Sequence, residues 1–158
     1  MKVENDKILV KEKPKSEEQT KRIEGPPLHE LTLLEKKKVE GTDMMSFKFD
    51  EQNKQEVKES VETLNYTAGQ YAYFDIGGVN NDPKGPIRHF TISSSPTESF
   101  IMISTRIRDS PYKQRLSSLE KGVKVKVRGP EGKFVLHDDY SKPAVFLSGG
   151  IGELHLEV

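Results

Sequence analysis

Apolar residues recur at every second position in five stretches of the chain. These are Leu31 and Leu33; Met45, Phe47 and Phe49; Ala72, Phe74 and Ile76; Ile101 and Ile103 with Thr105; and Val123, Val125 and Val127 against Lys124, Lys126 and Arg128. Successive side chains of a strand point to opposite faces, so each stretch predicts a half-buried β-strand. Turn-forming runs separate them: Gly41-Thr42-Asp43, Gly77-Gly78, Asn80-Asn81-Asp82-Pro83, Ser95-Pro96 and Gly129-Pro130-Glu131-Gly132. Short strands punctuated in this way close most economically on themselves, so the pattern predicts an all-β barrel of five or six short antiparallel strands. One short helix interrupts it, from Pro111 to about Leu119. Asp109 or Ser110 is its N-cap, Pro111 fills the first turn where a missing N–H costs nothing, and Gly122 is a C-terminal stop.

Three regions break the alternation. Residues 1–27 are dominated by Lys, Glu, Pro and Gln and end in Gly25-Pro26-Pro27, which reads as a flexible charged arm. Residues 51–60 hold too few apolar side chains for a core face and read as a loop or short exposed helix inserted in the barrel, which itself spans residues 28–140. Over residues 141–158 the pattern changes to a continuous apolar run, Ala144-Val145-Phe146-Leu147, followed by Gly149, Gly150 and Gly152. Such a run is typical of a parallel strand buried on both faces and feeding a phosphate-binding turn. A parallel crossover needs a dozen or more further residues, so a second domain is expected to be truncated here, and the unpaired strand is expected to favour dimers.

Composition narrows the function classes. Lys and Arg balance Asp and Glu at 25 each, which supplies no global field toward nucleic acid or an anionic membrane. The absence of cysteine excludes disulfides, thiolate metal sites and thiol catalysis, and suits a cytoplasmic address. No run approaches the ~18 apolar residues of a membrane span. The four histidines, His29, His89, His137 and His155, lack metal-ligand spacing and read as loop or surface residues.

Two segments carry candidate chemistry. In Arg88-His89-Phe90-Thr91-Ile92-Ser93-Ser94, a strand puts Arg88 and Phe90 on one face, a phosphate-gripping guanidinium one pleat from a ring able to cover a heterocycle. The same spacing suits a surface arginine beside a core phenylalanine. In Arg106-Ile107-Arg108-Asp109-Ser110-Pro111-Tyr112-Lys113-Gln114, unpaired N–H groups at a helix start, with Lys113 in the first turn, suit a diphosphate. An ordinary capped helix is the alternative there.

The first segment resembles the Arg-x-Tyr-Ser-x-x-Ser signature of the flavin domain in ferredoxin-NADP reductase-like enzymes, with Phe90 and Thr91 in the tyrosine and serine positions. Ser110 to Lys113, the Gly129-Pro130-Glu131-Gly132-Lys133-Phe134 turn and the loop of Gly149, Gly150 and Gly152 follow in that family's order. The resemblance spans about residues 28–152, and with it the expected fold is an all-β, six-stranded antiparallel Greek-key barrel. It implies a site of Arg88, His89, Phe90, Thr91, Thr105, Ser110, Tyr112, Lys113 and Gln114 for FAD, with FMN as the alternative. Arg88 would take the phosphate, Phe90 would pack on the isoalloxazine or ribityl part, and Thr91 would sit near flavin N5. Gly149, Gly150 and Gly152 would be the remnant of an NAD(P) loop.

In intact relatives a nicotinamide gives hydride to the flavin, which passes electrons to a ferredoxin, a haem or a quinone. The resemblance thus predicts a flavin-binding module that lacks efficient nicotinamide turnover unless a separate NAD(P)-binding chain supplies the missing domain. Two other readings compete. One is a small barrel binding single-stranded nucleic acid through Arg106, Arg108, Tyr112, Lys113 and Arg115. The other is a cofactor-free interaction domain.

Overall fold

The period-two stretches form strands in the phase their alternation predicts. In the computed structural model, residues 26–50, 64–139, 141–145 and 147 are described. Strand β1 is Leu28–Lys38, β2 Met44–Asp50, β3 Tyr71–Asp75, β4 Ile87–Thr91, β5 Ile101–Arg106 and β6 Lys124–Glu131, with helix α1, Pro111–Ser118, between β5 and β6. Leu31, Leu33, Phe47, Phe49, Ala72, Phe74, Ile103, Val125 and Val127 are each at most 1% exposed and meet inside the sheet. Burying one such large side chain stabilises the fold by roughly 1.5–3 kcal/mol.

Every strand pair is antiparallel, in the order β4-β3-β6-β1-β2-β5. Strands β1–β2 and β3–β4 are neighbours in both sequence and space, whereas β6 lies between β1 and β3 and β5 lies beside β2, which are the Greek-key crossings. The two outer strands meet through the Ile92–Ile103 bridge, where the Ser93 N–H donates to Met102 O at 2.8 Å. The sheet thereby closes into a barrel whose edges are paired rather than left open.

Several local expectations change. Ser110 is the N-cap of α1 and the helix ends at Leu119 as expected, through an N–H bond to Leu116 O, but Gly122 belongs to the following Glu120–Val123 turn. The glycine serves the turn into β6, with φ 89°. Gly129-Pro130-Glu131 is not a separate turn but the end of β6, and Tyr71 pairs with Glu131 across an irregular register. Gly129 is required there, because a Cβ would lie 3.0 Å from the Ala72 Cβ. His29 is not a surface residue. It stands opposite Val127 on the inner face and is 5% exposed, because the phase set by Leu31 and Leu33 carries inward to position 29.

Ala144, Val145 and Leu147 form no strand and are exposed, Leu147 at 96%, since a parallel strand needs a neighbour to cover it. The charged arm up to residue 25, the insertion at 51–60 and the loop of Gly149, Gly150 and Gly152 lie outside the described residues.

Candidate functional site

The site is set by the pairing of β4 with β3. Phe74 faces Arg88 and Ala72 faces Phe90, so Arg88 and Phe90 share the inward face at the end of the barrel that α1 covers. Phe90 is 8% exposed, with its ring edge-on to Phe74 at 5.7 Å and 6.0 Å from the ring of Tyr112. Tyr112 is fully buried, and its hydroxyl donates to Phe74 O at 2.9 Å. Burial pushes this phenol well above its ordinary range. Tyr112 is thus a support under the site, with the Arg88 guanidinium 5.3 Å over its ring.

Arg88 is held by the β3–β4 loop and the start of β4. Its Nη1 donates to Lys84 O, Gly85 O and Ile87 O at 2.5, 2.8 and 2.9 Å, and its Nη2 pairs with Asp82 Oδ1. The Asp82 carboxylate, whose side chain is 1% exposed, also accepts from Lys84 N at 2.9 Å through Oδ1 and from Tyr112 N at 3.0 Å through Oδ2. The Tyr112 and Lys84 N–H groups, and then the Arg88 charge, hold the Asp82 carboxyl below the usual carboxylate range.

At the start of α1, Pro111 has no N–H, Tyr112 N is taken by Asp82, and Lys113 N donates to Ser110 Oγ at 3.2 Å. Gln114 N already bonds Ser110 O, and the Gln114 side chain is exposed. Lys113 is the unbalanced group. Its Nζ lies 4.4 Å over the Phe90 ring and donates to Thr105 Oγ1, and no carboxylate among the described residues is within ion-pair reach. Burial, with Arg88 and Arg108 nearby, pushes its amine down to about 8.

The structure therefore brings together Arg88, Phe90, Thr105, Ser110, Tyr112 and Lys113, and separates His89, Thr91 and Gln114 from them. His89 and Thr91 pair with Tyr73 and Tyr71 on the outer face, where the three rings of Tyr71, Tyr73 and His89 lie 5.4–5.9 Å apart. A cavity of about 250 Å³ lined by Tyr73, Asp75, Ile87, Lys126 and Arg128 also opens on that face, away from Arg88 and Lys113. The member of the site that sequence reasoning missed is Asp82. The available signal was a carboxylate in a Gly- and Pro-rich loop six residues before the candidate phosphate-binding arginine.

The nucleic-acid reading loses its aromatic member, since Tyr112 is buried on the core side of α1, and Arg115 donates to Gly77 O at 3.2 Å. Among the described residues no group of His, Cys, Asp and Glu could hold a metal ion, and no helix is long and apolar enough to cross a membrane.

No family model matches the chain. Among curated proteins it is 29% identical over 92 residues to methane monooxygenase component C of Methylosinus trichosporium, covering 57% of this chain and 26% of that protein. It is 24% identical over 131 residues to flavohemoprotein A of Dictyostelium discoideum, covering 76% of this chain and 32% of that one. The chain thus spans about a quarter to a third of the relatives it matches. Among solved structures, the Amycolatopsis cytochrome P-450 reductase GcoB superposes with a TM-score of 0.61 at 22% identity, over 83% of this chain and 38% of that one. The ferredoxin reductase in carbazole 1,9a-dioxygenase gives a TM-score of 0.57 at 15% identity, over 73% and 31%. At these identities the structural likeness establishes the fold.

Proposed function

We propose that this barrel, folded like those of the reductases it resembles, is the FAD-binding module of an NAD(P)H-dependent electron-transfer flavoprotein. The observation that carries this reading is the charge imbalance between β4 and α1. Of Arg88, Lys113 and the nearby Arg108, only Arg88 has a carboxylate, that of Asp82, within ion-pair reach among the described residues. A half-buried ammonium without a counter-ion is unfavourable, and a phosphate anion is the group whose charge and acceptor count would relieve it. Cations continuing past Arg88 to Lys113 and Arg108 suit two phosphates, hence FAD over FMN.

The residues fit the phosphate end of the cofactor: Arg88 and Lys113 would hold it by charge, with Ser110 and the Tyr112 N–H at the helix start. Phe90 is already covered by Tyr112 and Lys113, so it supports these groups from beneath and offers no open ring face. The flavin, when bound, would supply hydride acceptance and one- or two-electron transfer to a partner such as a ferredoxin or an oxygenase component. This chain's contribution is binding and electrostatics.

A titration of FAD followed by flavin fluorescence quenching tests the proposal. Replacing Arg88 with alanine is expected to weaken FAD at least about tenfold, the scale of one charge-assisted phosphate contact. Equal affinity in the variant, or no binding by the wild type, contradicts it.

A further inference from the structure

The β3–β4 loop places a carboxylate in the seat that the proposed function gives to a phosphate. Asp82 touches the Arg88 guanidinium with one oxygen and the Tyr112 N–H, at the second position of α1, with the other. These are two of the anion donors of the site, and both are taken from within the chain. With its side chain 1% exposed, Asp82 is enclosed as a bound anion would be.

We infer that Asp82 is an internal substitute for the ligand's phosphate, an autoinhibitory contact that closes the anion seat and is expelled when a phosphorylated ligand binds. This rests on the flavin reading above and adds to it a selection rule. A phosphate brings more charge and more acceptor oxygens than a carboxylate and can displace it, whereas a ligand lacking phosphate cannot.

The loop is built to let go. Gly77, Gly78, Asn81 and Gly85 all have positive φ, at 64°, 67°, 57° and 83°, and open space surrounds the Cβ positions of Gly77 and Gly85. Apart from Asp82, the loop is held at its two ends, by the Gly77 N–H to Asp75 and Arg115 to Gly77 O at one and by Arg88 Nη1 to Lys84 O and Gly85 O at the other, with Val79 packed partly against the core. When Asp82 leaves, Lys84 N loses its acceptor and Arg88 Nη2 is free for the incoming oxygen.

The test is calorimetric titration of the wild type and of Asp82→Asn with inorganic pyrophosphate, FAD, FMN and riboflavin. Asparagine keeps one acceptor oxygen, enough for either Lys84 N or Tyr112 N, while removing the charge. The expected result is that Asp82→Asn binds pyrophosphate, FMN and FAD about tenfold more tightly, with riboflavin unchanged, because the competing charge is gone. Unchanged or weaker pyrophosphate binding overturns the inference and makes Asp82 a fixed orienter of Arg88. Tighter pyrophosphate with FAD bound by neither protein would instead sink the flavin reading and leave the gate standing.

Should the variant fail to fold, the wild type decides. Pyrophosphate must shift the amide resonance of Lys84 together with that of Tyr112, and a Lys84 amide that does not move refutes displacement.

Discussion

Lys113 carries its charge in surroundings that oppose it, and this makes the site sensitive to pH. Its amine is pushed down to about 8 from the usual 10.5. Between these values the native protein holds fewer protons at this position than the unfolded chain, so the Lys113 contribution to stability rises with pH across that window. Phosphate binding runs the other way, because the anion needs the ammonium. FAD affinity is therefore expected to fall as pH rises above about 8 in the wild type and to stay level in Lys113→Arg, whose guanidinium keeps its charge. Binding isotherms at stepped pH check this, and an identical fall in both proteins would contradict it.

Asp82 shows the opposite sign. Its carboxyl lies below its ordinary range, so the stabilising contact is present above the unfolded value near about 4 and is lost as pH falls through the lower native one. Wild type and Asp82→Asn should differ in denaturation midpoint at neutral pH and converge in acid.

At this scale the sequence made Arg88, Phe90 and Lys113 legible, because strand alternation and helix capping are local rules. It did not reveal Asp82, whose meaning depends on a loop folding back on a helix thirty residues later. Nor did alternation place His89 and Thr91 in the cleft, since the same rule that groups Arg88 with Phe90 turns these two outward.

Helix α1 is the element that joins core to site. Leu116 and Tyr112 face inward, and Leu119 follows them as the C-cap, all without exposure. The Tyr112 hydroxyl is spent on the carbonyl of Phe74, the residue paired with Arg88. Tyr112→Phe is expected to cost about 1 kcal/mol by leaving that buried carbonyl short of a donor, and Ser110→Ala about 1 kcal/mol by uncapping Lys113 N. Urea midpoints with unchanged slopes would show both as losses of stability alone.

A sharper loss is expected at the opening of β3. Gly69 has φ 95°, and a Cβ there would lie 1.9 Å from Phe134 O, so Gly69→Ala should destabilise by more than about 1 kcal/mol. The start and cap of α1 were readable from Ser-Pro at its first turn. Its end near Leu119 was readable too, but the place of Gly122 in the following turn and the strand character of Gly129-Pro130-Glu131 were not, because glycine marks both a turn and a close approach of two backbones. At Gly129 the approach to Ala72 decides, and no local pattern carries it.

For the whole molecule, the hydrophobic alternation was enough to predict an antiparallel barrel, since each strand's inner face must find another. The closure through Ile92 and Ile103 and the insertion of β6 between β1 and β3 are non-local pairings that periodicity does not carry. The barrel presents two regions of different chemistry: the cationic cluster of Arg88 and Lys113 at the start of α1, and an outer aromatic face of Tyr71, Tyr73 and His89 beside Lys126 and Arg128.

Amide resonance mapping of the isotope-labelled chain during titration with FAD distinguishes them most directly. The account predicts saturating shifts at one equivalent, concentrated at Asp82, Lys84, Arg88, Thr105, Tyr112 and Lys113. An unperturbed spectrum, or shifts confined to the outer face around Tyr73, His89 and Arg128, would contradict it.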